Sequence, residues 1–129
     1  MTTREIPTHE WTAFCDGFSR RYQGWLVRLS VLDPKLGAQV EAVDLPLQGI
    51  VADPRGLGIA ISLGERPDDV EPSVRRPQRV WVELAGERDE AEAALEIESA
   101  DGTRAILEFR GAVLPESVDG LAPFLPAAQ

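Results

Sequence analysis

The sequence predicts a mostly β domain of the α+β class. An N-terminal helix packs on a small, strongly curved antiparallel sheet or partly open five- to six-stranded barrel. Three observations carry this. One aromatic stripe at helical spacing lies near the N-terminus and ends at Gly24. Short alternating segments then follow one another, separated by Asp-Pro and Gly turns. The last of them, Leu95 to Phe109, is two alternating strands meeting at Asp101-Gly102.

The helix is expected to start at Thr8 as N-cap, with Glu10 in the first turn where a negative charge suits the helix dipole. Trp11, Phe14, Cys15, Phe18 and Tyr22 form its stripe, a face meant for docking on the protein's own sheet or for holding a partner. Trp25 to Leu32 alternates next, with Trp25, Val27, Leu29 and Val31 on one side. After the turn at Asp33-Pro34 come Ala38–Val43 and Leu45–Ala52, a strand region interrupted near Pro46. Leu57, Ile59, Ile61 and Leu63 line one face of the following strand, and Gly58, Ala60, Ser62 and Gly64 the other. That bare face leaves room for close approach by the helix or by another subunit. Val70–Val74 and Gln78–Leu84 make a strand broken around Pro77, and an acidic connector over 85–92 leads to the final hairpin. Residues 1–112 are read as a single small domain, and 113–129 as a proline-rich C-terminal tail.

The hairpin register can be chosen from side chains alone. A two-residue loop would put Leu95 across from Glu108 and mix apolar with charged residues on both faces. A three-residue loop with Gly102 in the left-handed region pairs Ser99 with Thr103. Leu95 then meets Leu107, Ile97 meets Ala105, and Glu98 meets Arg104. The second register gives one apolar face and one opposite-charge pair, so it is the one expected.

Composition bounds the function. The 129 residues hold 22 acids against 13 bases, a net charge of −9 that repels a phosphate backbone. Fifteen of those acids, against seven arginines, fall in residues 65–129. One cysteine and one histidine exclude an internal disulfide and a zinc site. No leader-like apolar run or membrane-spanning length is present, so a cytoplasmic location is expected. Cys15 and His9 are six residues apart and point in different directions on a helix, which argues against a Cys–His nucleophile. No phosphate loop or dinucleotide fingerprint occurs, and the acidic run Asp68-Asp69-Val70-Glu71 lacks calcium-loop spacing. No catalytic, cofactor or metal residues are therefore assigned. What remains is a possible interaction surface: Arg75, Arg76 and Arg79 around Pro77 with Trp81, and the bare strand residues Gly58, Ala60 and Ser62.

By architecture, the nearest analogy is the Sm-like and SH3-like small barrels, with no function attached. The segments Met1-Thr-Thr-Arg-Glu-Ile-Pro7, Gly24-Trp-Leu-Val27, Leu45-Pro-Leu-Gln-Gly-Ile50, Arg66-Pro-Asp-Asp69 and Leu95-Glu-Ile-Glu-Ser-Ala-Asp-Gly-Thr103 resemble a bacterial family of small proteins, domain of unknown function 5335. The resemblance covers about residues 1–110 and implies a bacterial cytosolic protein without an assigned activity or functional residues. The expected role is a non-enzymatic protein-interaction or scaffold module, with self-association or a protein partner. The alternatives are an Sm-like nucleic-acid binder using Arg75, Arg76, Arg79 and Trp81, and a carboxylate-based or metal-dependent hydrolase.

The hairpin register generates a test. Gly102→Val forces a β-branched residue to positive φ and should cost about 1–2 kcal/mol. An unchanged melting temperature would refute that turn.

Overall fold

The computed structural model describes residues 2–64, 73–86 and 91–113, the last three as backbone. Strand β1 (Thr2–Ile6) leads through a 3-10 turn (Thr8–Glu10) into helix α1 (Trp11–Tyr22). Strands β2 (Leu26–Asp33), β3 (Gly37–Ala52), β4 (Gly58–Leu63), β5 (Ser73–Arg75), β6 (Pro77–Ala85), β7 (Ala91–Ser99) and β8 (Arg104–Val113) follow. All pair antiparallel in one sheet, ordered β1-β6-β7-β8-β2-β3-β4-β5. The sheet is not closed by its hydrogen bonds, yet β5 and β6 are separated in the chain by Arg76 alone. Its two flanks therefore curl until one chain segment serves both.

The β7–β8 hairpin adopts the three-residue loop. Ser99 N donates to Thr103 O at 2.8 Å, Leu95 pairs with Leu107, Ile97 with Ala105, and Glu98 with Arg104. Gly102 sits at φ +91°, where a side chain would be strained and would also press on Pro34.

Helix α1 fills one end of the curl. Its stripe residues Trp11, Cys15, Phe18 and Tyr22 are buried and Phe14 is half-buried, as the spacing predicts. Phe18 and Tyr22 pack on Phe109 with ring centroids 5.8 and 4.6 Å apart. The helix also mends a break in the sheet. Strand β3 is handed from β2 to β4 at Pro46–Leu47, next to a bulge. Past that point Ile50 has lost a strand neighbour on the β2 side, and an unmet backbone amide there would be costly. Ser19 replaces the strand. Its Oγ accepts the Ile50 N–H at 2.7 Å and lies 3.0 Å from the Ile50 carbonyl.

Three expectations are corrected. Thr8 does not cap the helix by its side chain; the chain enters through a 3-10 turn after Pro7. The residues before it form β1, which pairs with β6 and buries Ile6, whose carbonyl accepts the Trp11 indole N–H at 2.9 Å. Leu57 does not join Ile59, Ile61 and Leu63 in the core; it precedes β4 and is 55% exposed. The break between β5 and β6 falls at Arg76, at φ +50°, and Pro77 opens β6 as a buried residue, the strand position proline tolerates best. The acidic run 68–71, the connector residues 87–90 and the tail from 114 lie outside the described residues.

Exposed apolar residues concentrate on β3 and the turns beside it: Leu36, Val40, Val43, Val51 and Leu57. Over residues 37–44 β3 pairs with β2 alone among the described strands, so this stretch is a sheet edge.

The Ser19 bridge yields the second test. Ser19→Ala leaves the Ile50 N–H without its partner and should destabilise the fold by about 1–3 kcal/mol. A loss within error would mean that water satisfies Ile50 equally well.

Candidate functional site

Alternation along β6 sends Val80 and Val82 into the core and turns Arg79, Trp81 and Glu83 outward. The register sets Glu96 of β7 opposite Trp81 and Glu5 of β1 on its other side. Trp81 is half-buried, and two arginines lie on its ring. The Arg79 guanidinium lies 5.2 Å from the Trp81 ring centroid and that of Arg104 lies 5.6 Å away. Arg79 also reaches Glu5 at 3.3 Å and Arg104 reaches Glu98 at 3.6 Å. The outer face of β1, β6, β7 and β8 is thus a compensated lattice of charges around an indole, which accounts for Arg79 without a ligand.

Glu96 is the exception in that lattice. It is only 8% exposed. Its carboxyl is pushed up to about 7, first by burial and then by the hydrogen-bonded Glu83 carboxyl and its charge. The Trp81 indole N–H and the Arg104 charge pull the other way. The charge of Glu83 so close to Glu96 resists ionisation of the buried carboxyl.

Across the Arg76 kink the surface changes character. Arg75 and Arg76 flank a shallow groove of about 520 Å³ with Val51, Asp53, Leu57, Gly58, Ala60 and Ser73. Ala60 lies between Val51 of β3 and Ser73 of β5, and Gly58 pairs with Arg75. Of the small residues read as a bare strand face, Gly58 and Ala60 form the groove floor. Helix α1 contacts β3 farther along, where Gly49, the strand partner of Ser62, faces Ser19. Among the described residues Arg75 and Arg76 have no ion-pair partner, while Asp53 is engaged by Arg55 at 3.4 Å. The sequence cluster of Arg75, Arg76, Arg79 and Trp81 is divided in two, because the kink turns its halves apart.

The chain's lone thiol and imidazole are also apart in role. Cys15 is buried among the helix stripe, its pKa pushed up to about 11 by burial and by Asp16, whereas His9 is exposed beside Glu10. A thiol so suppressed is a poor nucleophile. Tyr22, also in the stripe, donates its hydroxyl to buried Glu92, which lies 3.6 Å from Arg21; burial and that carboxyl raise the phenol well above its usual range. Sequence reading missed Glu92 and Glu96 as buried acids, since both look like solvent-facing positions of an acidic strand. Among the described residues no group of three or more His, Cys, Asp or Glu is arranged to hold a metal ion, and no helix is long and apolar enough to cross a membrane.

Fold and surface define a class: a small antiparallel sheet curled around a helix plug, with charged and apolar surfaces but no nucleophile–base pair among the described residues. The chain belongs to the family of unknown function DUF5335, whose profile matches residues 2–117. An uncharacterised protein of Aquifex aeolicus (strain VF5) is 32% identical over 117 residues, spanning 90% of this chain and all of that relative. No solved structure matches.

The Glu83–Glu96 pair predicts a pH dependence. The folded state holds a proton on Glu96 up to about pH 7, while the unfolded chain releases it near 4.5. Between these values the native state binds more protons, so stability falls as pH rises and the penalty is complete above the window. Glu96→Gln keeps the shape without the charge. Its melting temperature relative to the parent should climb across that window and then level off. A pH-independent difference would show that Glu96 ionises normally.

Proposed function

We propose that this protein is a non-enzymatic protein-interaction module that docks an acidic, apolar-bearing segment of a partner into the groove over β3, β4 and β5. One observation carries the reading. Two arginines without ion-pair partners among the described residues, Arg75 and Arg76, stand beside exposed Val51 and Leu57 in a chain of net charge −9. Several other surface arginines are matched with acids, as Arg79 with Glu5, Arg104 with Glu98 and Arg110 with Asp44, whereas Arg4 and Arg28, like Arg75 and Arg76, are not among the described residues. Unmatched cations next to apolar area favour a ligand that brings its own negative charge and its own apolar side chains. The small residues Gly58 and Ala60 let an extended backbone come close.

The Sm-like nucleic-acid reading uses the same two arginines for phosphate. It needs Trp81 as a stacking platform as well, and a base would have to displace Arg79 or Arg104 from that ring. The acidic remainder of the chain repels either anionic ligand at long range, so it is the occupied Trp81 ring that puts the peptide reading ahead.

Fluorescence anisotropy at low salt with two short synthetic peptides separates the readings, one alternating Leu with Glu and one alternating Leu with Lys. The acidic peptide should bind and weaken with added salt. The double variant Leu57→Ser with Arg76→Glu should lose about tenfold or more in affinity, through both lost apolar contact and charge repulsion. Preference for the basic peptide, or no binding by either, would overturn the proposal. Tighter binding of single-stranded RNA than of the acidic peptide would move the Sm-like reading to first place.

A further inference from the structure

The end of the curl opposite the helix is open, and it has the build of a small-molecule pocket. Its floor is apolar: Leu29, Val31, Ile61, Val74 and Ala105. Its rim is polar, with Ser73 and Arg75 from β5 facing Ser99, Asp101 and Thr103 from the β7–β8 hairpin. The volume is about 240 Å³, on the scale of a small organic molecule. The mouth of a curled sheet is a habitual place for such a site.

The rim charges show what would fit. Arg75 and Asp101 line one mouth, opposite in sign, yet no ion pair joins them. Asp101 is held charged by other means. The Ser99 hydroxyl and the Thr103 N–H, the latter at 2.9 Å, both donate to its Oδ1. Those bonds fix the carboxylate, and the Thr103 side chain adds to them. A fixed anion and an unpaired guanidinium are thus set on one rim above an apolar floor. Neither can be satisfied by the other without moving, and together they match a ligand carrying both charges.

We propose that this pocket binds a small zwitterion with an apolar side chain, a free aliphatic or aromatic α-amino acid. The ligand carboxylate would meet Arg75, a planar donor suited to it, and the ammonium would meet Asp101. The side chain would lie on Val31 and Val74, the half-buried residues of that floor. This pocket adjoins the peptide groove, and Ser73 and Arg75 border both.

The test is titration of the ¹⁵N-labelled full chain with leucine, followed by amide shifts, with isovalerate and isoamylamine as single-charge controls. Leucine should perturb residues 73–75 and 99–105 saturably, and each control should bind about tenfold or more weakly, having lost one charged contact. Asp101→Asn keeps the side-chain acceptor of the turn and removes the charge. Arg75→Gln removes the guanidinium. Each should weaken leucine binding by about tenfold or more while the spectrum stays folded. The groove double variant Leu57→Ser with Arg76→Glu should bind leucine as the parent does, which separates failure here from failure of the peptide reading. Absence of saturable shifts with leucine and phenylalanine would overturn the proposal. Equal binding of isovalerate, or full binding by Asp101→Asn, would do so too.

Discussion

A single kinked residue organises this molecule. Arg76 takes a left-handed backbone conformation that a non-glycine side chain resists, at φ +50°. It is held there from both sides, its N–H donating to Leu57 O at 3.1 Å and its carbonyl accepting Ala100 N–H at 2.9 Å. Those bonds tie the turn before β4 to the tip of the β7–β8 hairpin, elements that occupy opposite flanks of the sheet. The kink lets one segment end the ladder of β4 and begin the ladder of β6. Without it the sheet would be an open ribbon with no mouth, no groove and no end for the helix to fill.

The same kink divides the chemistry of the surface. Before it, β5 offers Arg75 among apolar and small residues, with Asp53 and Asp101 lining the same hollows but no ion pair formed. After it, β6 offers Arg79 and Trp81 toward β1 and β7, where Glu5, Glu83 and Glu96 crowd around them. One face is saturated with internal pairs and the other is left needing a complement. Exposed charge networks of the first kind add little net stability, because the side chains surrender hydration and freedom for each contact. Their larger effect here is to keep the Trp81 ring occupied.

Local patterns carried most of the fold into the sequence, and non-local geometry carried the rest. The β7–β8 register was legible because Glu98 and Arg104 can meet only when Leu95 meets Leu107. The helix stripe was legible from spacing alone. Strand β1 was not, because Thr2 to Glu5 are polar and gain their place only by completing an edge of β6. Pro77 drew attention as a breaker, but proline suits the first position of a strand, and the cost of the turn fell on the residue before it. Leu57 continued the alternation of β4 in sequence while the turn at Asp53–Gly56 had already lifted it out of the core. For the candidate sites, the separate residue types were visible and their grouping was not. Nothing near Arg75 in the chain announces Asp101, and nothing near Arg79 announces that Arg104 shares its tryptophan.

The edge of β3, uncovered among the described residues, gives the strong acidity of this chain a second meaning. Residues 37–44 present backbone donors and acceptors on one side, with Val40 and Val43 exposed along them. Such an edge is a template for another chain, and proteins usually blunt it with lysine, proline or a covering loop. Here the guard is diffuse: a net charge of −9 keeps copies apart at neutral pH, and only an encounter close enough to overcome it lets two edges meet. That protection vanishes at the sequence isoelectric point near 4.5 and thins with salt. Colloidal stability in this protein is therefore a property of its charge as much as of its fold, and acidification weakens the repulsion between copies.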